Sequence, residues 1–293
     1  MKGCLVMAYG TPASLDDVEA YYTHIRRGRP PAPDQLAELT ARYESLGGTS
    51  PLRRITLDQA SLVGAALGDG WTTTIGFKHA APFIEDGVAS LVAQGVDSIV
   101  GVVLAPHYSG GSVGEYVGRL REASTVPVAA VESWHDLPEL RSFLAEGVRS
   151  GLAGLPARTA VVFTAHSLPE RVLVDDPYPD ELLASATAVA AACGLDRWSV
   201  GWQSAGRTPD PWRGPDIVEV LDDLAASGQA DGVLVCPQGF VADHLEVLYD
   251  LDDVAASRAA SLGLPFARTP SLNAHPVVLP ALAERVRALA PTP

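Results

Sequence analysis

The sequence predicts an α/β protein built from two similar halves. Short apolar runs alternate with longer segments of helical periodicity along all 293 residues. This pattern is typical of strand–helix units and of a mainly parallel sheet. The length suits two compact domains or one large one. Because 47% of the residues are apolar and 19% are charged, we expect a packed core rather than disorder.

Seven short apolar runs predict strands, and helical periodicity predicts eight helices. The strands are residues 4–8, 72–77, 98–104, 126–131, 160–164, 198–203 and 232–236. The helices are residues 15–24, 34–46, 57–67, 83–94, 137–151, 179–193, 216–227 and 280–289.

Three pairs of segments predict that the second half repeats the first. Residues 6–12 are similar to 163–169, residues 75–78 to 200–203, and residues 101–106 to 232–237. Chance similarity between apolar strands is the alternative. If the repeat holds, two α/β domains face each other and their strand ends place Tyr9 and His166 across one cleft. Gly154 and Pro156 interrupt the pattern, which predicts the boundary near residues 153–156.

Charge and cysteine content exclude several classes of protein. The net charge of −14 disfavours a nucleic-acid or anionic-membrane surface, since both attract a basic face. Cys4, Cys193 and Cys236 are widely spaced, so we expect three reduced thiols rather than a disulfide framework. The sequence has no run long enough to span a membrane and no signal-peptide pattern. We therefore expect a cytoplasmic protein without integral membrane contact.

His166 is the first candidate for catalysis. An apolar run leads into it and Pro169 follows, so the imidazole is expected at the carboxyl end of a buried strand, where α/β proteins bind ligands. Imidazole can act as a base or bind a metal near neutral pH. His79 and His107 also follow predicted strands, although a single histidine in a loop is more often structural.

Three carboxylates could form a cation site downstream. On a helix beginning near Asp243, the side chains of Asp243, Glu246 and Asp250 would share one face, next to His244. Oxygen and nitrogen ligands suit a hydrated divalent cation. The alternative is a solvated acidic face with Asp243 as the N-cap.

A cluster of cations could bind an anionic ligand. Arg26, Arg27 and Arg29 end the first helix and form the densest positive patch in an acidic chain. Arg42 and Tyr43 follow, and the glycine-containing loop after them carries Thr49 and Ser50. Guanidinium groups match carboxylates well, but cations at a helix end are also favoured by the helix dipole alone.

Five separated motifs resemble those of ferrochelatases, most closely the enzymes of Gram-positive bacteria that insert iron into coproporphyrin III. They are residues 5–12 (LVMAYGTP), 21–29 (YYTHIRRGR), 164–169 (TAHSLP), 201–204 (GWQS) and 239–246 (GFVADHLE). The resemblance runs from residue 1 to about 289 and keeps the order of the motifs.

The resemblance implies two Rossmann-like domains of the chelatase fold. Each has a four-stranded parallel sheet flanked by helices, and the active-site cleft lies between them. The expected domains are residues 1–153, joined by a C-terminal helix at about 275–293, and residues 154–274.

The resemblance also implies roles for particular residues. His166 and Glu246 would be catalytic and would meet the metal on one side of the porphyrin. Tyr9 would approach from the other side and bind the product iron, and Asp250 would belong to an outer metal site. The residues implied to hold the porphyrin are Tyr9, Arg26, Arg27, Arg29, Arg42, Tyr43, Thr49, Ser50 and Tyr116.

The implied partners are coproporphyrin III and Fe(II), both as substrates, with no permanently bound cofactor. The product would pass transiently to the next enzyme of haem biosynthesis, and a monomer is expected. Val254 stands where related bacterial enzymes continue the acidic series beyond Asp250, which leaves the outer metal path open. No cysteine follows Cys236, so we expect no iron–sulfur cluster.

Alternative functions remain open at this point. Protoporphyrin IX could be the substrate, or the chain could be a cobalt or nickel chelatase for sirohydrochlorin. A non-catalytic haem or metal carrier with the same cleft is an alternative of a different class.

Overall fold

The computed structural model describes residues 1–290, which form two parallel sheets of four strands each. The first sheet has the order β2-β1-β3-β4 and the second has the equivalent order β6-β5-β7-β8. The strands are Lys2–Ala8 (β1), Trp71–Phe77 (β2), Ser98–Val103 (β3), Val128–Val131 (β4), Thr159–His166 (β5), Trp198–Gln203 (β6), Gly232–Cys236 (β7) and Phe266–Arg268 (β8). The same order in both sheets confirms the predicted fold class.

Eleven α-helices flank the sheets in this part of the chain. They are Val18–Ile25 (α1), Pro33–Ser45 (α2), Leu52–Leu67 (α3), Ile84–Ala93 (α4), Val113–Ala123 (α5), Pro138–Leu152 (α6), Tyr178–Cys193 (α7), Ile217–Ser227 (α8), Leu245–Tyr249 (α9), Ala256–Ser261 (α10) and Val278–Ala288 (α11). Short 3₁₀ turns occupy Leu15–Asp17 and Glu170–Val172, and a π-helical segment, Asp250–Ala255, joins α9 to α10. None of these helices is long and apolar enough to cross a lipid bilayer.

The register of the central strands supports the repeat. Val6 of β1 lies opposite Ile75, just as Phe163 of β5 lies opposite Val200, as the first two predicted segment pairs require. The third predicted pair is shifted, because Val6 lies opposite Val102 whereas Phe163 lies opposite Cys236. The apolar runs of β3 and β7 can be matched in more than one register, and only pairing to the central strand selects one.

Two predictions about strands need correction. The strand predicted at 126–131 begins at Val128, because Pro127 has no N–H and only its carbonyl oxygen joins the sheet, accepting from Ile99 N at 2.9 Å. The last strand, β8, was missing from the predicted strands. It has only three partly buried residues, too few to show an alternating pattern.

Two helical regions also differ from the prediction. Helix α5 was not predicted, although Val113, Tyr116, Val117 and Leu120 form its buried face at helical spacing. The helix predicted to begin near Asp243 starts at Leu245. Each of the eight helices listed in the prediction has a counterpart in the structure.

Two helices cross between the halves. Helix α11 packs against α3 of the first half, and its residues Val278, Leu279 and Leu282 are fully buried. Helix α6, which the prediction assigns to the first half, packs against α7 and β7 of the second. The loop between α6 and β5 contains the predicted boundary, whereas residues 291–293 of the predicted C-terminal helix lie outside the described residues.

Polar contacts join the two halves below the cleft. Gln59 of α3 donates to the carbonyl oxygens of Val241 and Asn273, at 2.9 and 3.1 Å. His107 Nε2, which follows β3, lies 2.9 Å from Ser185 Oγ on α7. These contacts hold the carboxyl ends of both sheets toward one another.

Candidate active site

The centre of the site lies at the carboxyl ends of the two central strands. Tyr9 directly follows β1, and His166 is the last residue of β5. His79 N donates to Tyr9 O at 2.9 Å, which continues the pairing of β1 with β2 past the strand end. Ligands of α/β proteins bind at this edge, so the two residues occupy the expected positions.

His166 is oriented by the chain that follows it. Its Nδ1 lies 2.5 Å from the carbonyl oxygen of Ser167, so Nδ1 carries a proton and donates. The other ring nitrogen, Nε2, lies 3.5 Å from Glu246 Oε1. The hydroxyl of Tyr178 donates to the His166 carbonyl oxygen at 3.2 Å and fixes the strand end.

Glu246 is placed by the first turn of α9. His244 is the N-cap of this helix, and its Nδ1 accepts from Val247 N at 3.2 Å. The other ring nitrogen of His244 lies 3.8 Å from Glu246 Oε2. Gln203, at the end of β6, donates to the Glu246 carbonyl oxygen at 3.1 Å. The carboxylate therefore lies between two imidazoles.

The electrostatics of His166 and Glu246 favour an ion pair. Burial alone would raise the pKa of Glu246, but the neighbouring His166 overcomes this effect and the pKa falls to about 2. Burial alone would lower the pKa of His166, but the charge of Glu246 and its hydrogen bond raise it. Both directions stabilise an imidazolium paired with a carboxylate.

Glu246 also acts on Tyr9 across the cleft. The Tyr9 side of the cleft is open, and 39% of this residue is exposed. Desolvation of its hydroxyl nevertheless raises the pKa well above the ordinary value, and the negative charge of Glu246 raises it further. The charge of Glu246 therefore makes the Tyr9 hydroxyl harder to ionise.

Asp250 lies one turn beyond Glu246 and has a different environment. Its Oδ2 accepts from Ser204 Oγ at 2.5 Å, and its Oδ1 lies 3.9 Å from Arg42 Nη1. Burial raises the pKa of Asp250 to about 6, and the charge of Glu246 acts in the same direction. A carboxyl group that titrates near neutral pH can exchange a proton for a cation.

Asp243 does not belong to this group of carboxylates. It precedes α9, and its carboxylate accepts from Ser271 and Asn273 at 2.8 Å and from Arg268 at 3.2 Å. The prediction that Asp243 shares a helix face with Glu246 is wrong, because His244 takes the N-cap position and the chain before it is extended. Asp243 instead anchors the segment that connects β8 to α11.

The predicted cationic cluster surrounds the end of α1. Arg26 Nε donates to the Arg29 carbonyl oxygen at 3.2 Å, and its guanidinium lies over the Tyr22 ring. Arg27 has a positive φ of 56° and lies 3.5 Å from Glu115. Arg29 is exposed. Arg27 and Arg29 thus keep most of their guanidinium surface accessible to a ligand.

The other predicted ligand-binding residues divide into exposed and buried groups. Arg42 is held by Glu38 at 2.8 Å and lies over the Tyr249 ring. Thr49 is exposed. Tyr43, Ser50 and Tyr116 are buried, and Tyr43 accepts a hydrogen bond from Thr11 Oγ1 at 3.3 Å. These three can contribute only at the floor of the cleft.

Comparison with known proteins identifies the family. A family model described as ferrochelatase matches residues 1–289. The chain belongs to the ferrochelatase family. It is 42% identical to the coproporphyrin III ferrochelatase of Bacillus subtilis, with 96% of this chain and 95% of that protein covered. It is 40% identical to coproporphyrin III ferrochelatase 2 of Bacillus cereus, with 97% and 93% covered.

Solved structures support the fold assignment. SirB from Bacillus subtilis with Fe³⁺ is 15% identical with a TM-score of 0.59, and the match covers 99% of this chain and 95% of that one. CbiX, described as the terminal enzyme of siroheme biosynthesis in denitrifying bacteria, is 15% identical with a TM-score of 0.58 and coverage of 99% and 100%. At this identity, the likeness shows the chelatase fold alone.

Two residues in this ferrochelatase-family site were assigned no role from the sequence: Gln203 and Ser204. Each is polar, and each lies at or next to the end of a strand. That position was the available signal. Ser204 has a positive φ of 62°, a conformation that the sequence does not reveal.

Among residues 1–290, the side chains that could bind a metal ion do not form a large cluster. Within residues 1–290, no three His, Cys, Asp or Glu side chains converge on one ion position. Val254 is 39% exposed in the π-helical segment. In a ferrochelatase, however, the metal is a substrate whose final ligands are the porphyrin nitrogens.

Proposed function

We propose that this protein inserts Fe(II) into coproporphyrin III and releases two protons, giving iron coproporphyrin III. The observation that carries the proposal is the His166–Glu246 pair, which lies at the end of β5 and acts electrostatically on Tyr9. The names of the relatives at 40% and 42% identity support coproporphyrin III as the porphyrin. We further propose that the reaction takes place in the cytoplasm, which suits three free thiols.

His166 and Glu246 act on the metal and on the pyrrole protons. Two N–H protons must leave the porphyrin before iron enters, and a cleft that binds the bent ring lowers the barrier by exposing nitrogen lone pairs. A protonated His166 cannot accept one of these protons. An incoming ferrous ion beside Glu246 would disfavour the imidazolium, so His166 would release its Nε2 proton to solvent and could then bind iron or accept a pyrrole proton.

The cationic cluster binds the four carboxylates of coproporphyrin III. Arg27 and Arg29 have the most accessible guanidinium groups, and Arg26 would contribute from its position over the Tyr22 ring. Arg42 would exchange part of its contact with Glu38 for a substrate carboxylate. Thr49 would bind at the edge of the cleft, and Tyr43, Ser50 and Tyr116 at its floor.

The acidic side of the site serves the cation. Asp250 would form an outer site with Ser204, from which iron moves inward to Glu246. Tyr9 would bind the iron of the product on the opposite face of the macrocycle. The two reactants thus meet oppositely charged surfaces of one cleft.

Several properties of the whole protein belong to the same proposal. The domains are residues 1–153 with the C-terminal helix, and residues 154–274. The protein acts as a monomer without a permanent cofactor or an iron–sulfur cluster. It hands its product to the next enzyme of haem biosynthesis.

The test is anaerobic Fe(II) insertion into coproporphyrin III and protoporphyrin IX, followed by absorbance. We expect turnover with a preference for coproporphyrin III, because four carboxylates use more of the arginine cluster than two. His166→Ala and Glu246→Gln should each lower kcat by roughly 100-fold or more, the usual contribution of acid–base catalysis. Asp253→Asn is the matched control, since Asp253 is exposed and lies on the same segment.

Each alternative outcome identifies a different error. Unchanged turnover in His166→Ala would remove its proposed role. Tight product binding without turnover by the native protein would indicate a carrier. Equal rates with both porphyrins would contradict the role given to the arginine cluster.

A further inference from the structure

Two histidines outside the His166–Glu246 pair meet at the rim of the cleft. The Nδ1 atoms of His24 and His79 lie 3.0 Å apart, so one donates a hydrogen bond and the other accepts it. His24 is on α1 and His79 follows β2, so two separate elements bring these nitrogens together. Such a bond requires at least one unprotonated nitrogen, the form in which imidazole binds metals.

Aromatic neighbours hold both imidazole rings. The Phe83 ring stacks on His24 with centroids 5.1 Å apart, and the Tyr9 ring packs against His79 at 4.6 Å. These contacts restrict the two side chains to the same small region. They also put His79 next to the tyrosine on the opposite side of the cleft from His166.

The histidine pair borders a cavity of about 830 Å³. Asp16 and Glu19 line the same cavity from the start of the first helical segment. In the part of the chain that the structure describes, neither carboxylate forms an ion pair. The cavity therefore offers two imidazole nitrogens, two carboxylates and room for water molecules.

Cations in the cavity wall do not leave it positively charged. Lys78 lies 2.5 Å and Arg27 3.5 Å from carboxylate oxygens of Glu115. Arg119 lies 2.7 Å from Glu85. Lys78 and Arg27 share Glu115, so these three cations have two carboxylate partners. Only with Asp16 and Glu19 does the cavity wall carry more negative than positive charge.

We propose that His24 and His79 form a second metal site, for a borderline divalent transition-metal ion such as Co(II), Zn(II) or Fe(II). With metal–nitrogen bonds of about 2.1 Å, a separation of 3.0 Å corresponds to an angle of about 90° at the metal. This is the angle between adjacent positions of a six-coordinate ion. The ion replaces the shared proton, and the rings turn so that each lone pair faces it.

Two protein nitrogens make a modest site, and water completes the coordination. Asp16 and Glu19 attract the ion and accept hydrogen bonds from its water molecules. Imidazole selects Zn, Co and Fe over Mg and Ca, so the latter should not compete. The site shares no ligand with the His166–Glu246 pair, although Arg27 lines the same cavity and Tyr9 packs against His79.

The test is a Co(II) titration without porphyrin, in a variant that carries His166→Ala, Glu246→Gln and Asp250→Asn, so that the proposed inner and outer iron sites are both removed. Co(II) is chosen because its absorption reports nitrogen ligation. We expect one Co(II) per chain, and at least tenfold weaker binding when His24→Gln or His79→Gln is added. His275→Gln is the matched control, because this imidazole packs against Phe143 on another face of the protein.

A second measurement keeps the proposal testable if a histidine variant fails to fold. In the otherwise native chain, bound Co(II) should broaden the side-chain NMR signals of His24 and His79 and leave those of His275 sharp. Binding that survives both glutamine substitutions would overturn the proposal. Co(II) binding without broadening of the two histidines would also overturn it. Neither result would bear on iron insertion, which is measured separately.

Discussion

The ion pair between His166 and Glu246 favours a protonated imidazole, which opposes the use of His166 as a simple base. Glu246 has a pKa of about 2, and the pKa of His166 is raised by the charge of Glu246 despite burial, so the pair favours a carboxylate and an imidazolium. The imidazole therefore becomes available only after something else interacts with the carboxylate. A ferrous ion is the reactant with the required charge, which makes metal arrival and proton removal interdependent.

Asp250 allows a test of the electrostatics through stability. Its pKa is raised from 3.8 to about 6 in the folded protein. Because the folded-state pKa is the higher one, its stabilising contribution is complete below pH 4 and is lost as pH rises through 6. As the pH rises from 4 to 7.5, the unfolding free energy of Asp250→Asn should increase by up to roughly 3 kcal/mol relative to that of the native chain.

Urea unfolding at the two pH values measures this difference. Asp253→Asn, on the exposed side of the same segment, should follow the native curve at both. If the difference in unfolding free energy between Asp250→Asn and the native chain were the same at pH 4 and at pH 7.5, the result would contradict the raised pKa.

At the scale of elements, the start of α9 decides which acidic residues reach the site. The sequence contains Asp243, Glu246 and Asp250 at helical spacing, and periodicity alone places all three on one face. The structure begins the helix two residues later, with His244 as N-cap. Asp243 is then free to accept hydrogen bonds from Ser271 and Asn273 instead. A local pattern could not reveal this, because the competing partners lie about 30 residues away.

Asp243→Ala should therefore affect stability more than chemistry. It removes the acceptor of three hydrogen bonds from a half-buried position, at an expected cost of about 1–3 kcal/mol. Iron insertion should stay within a few-fold of the native rate. Asp252→Ala is the control, since Asp252 pairs with the same Arg268 but is 41% exposed and should cost less than about 1 kcal/mol. A loss of turnover as large as that of Glu246→Gln would instead indicate that Asp243 takes part in the reaction.

Most strands and helices were predictable because their periodicity is local. The central strands β1 and β5 are continuous apolar runs, as expected for strands covered on both faces. Strand β8 was not predictable, because its three residues become a strand only by pairing with β7. Helix α5 shows the opposite case, since its apolar spacing was present in the sequence.

At the scale of the whole molecule, the two halves are tied together by helices. Helix α11 follows the second sheet in the sequence but completes the core of the first, where Leu282 and Val286 are fully buried. Helix α6 makes the reverse crossing and packs on β7. The position of the cleft between the sheets consequently depends on two helices, each of which belongs to one half in the sequence and packs on the other.

Leu282→Ala tests this crossing. The substitution leaves a cavity in the first half and should lower the unfolding free energy by about 2–5 kcal/mol. Hydrogen exchange should show lost protection in α3 and β3, which belong to the first half. Leu182→Ala, at a fully buried position of α7, should instead loosen β5 and β6. Equal loss of protection in both halves after Leu282→Ala would mean that α11 does not belong specifically to the first.

The sequence by itself determined the α/β class, the repeat and the strand-end positions of Tyr9 and His166. These features depend on the period of apolar residues and on turn signals, which are local. Tertiary structure alone decided that Glu246 lies between His166 and His244, and that Asp243 points elsewhere. It also decided that His24 meets His79. Such contacts join residues far apart in the chain, and their distances depend on how the two sheets and the crossing helices pack.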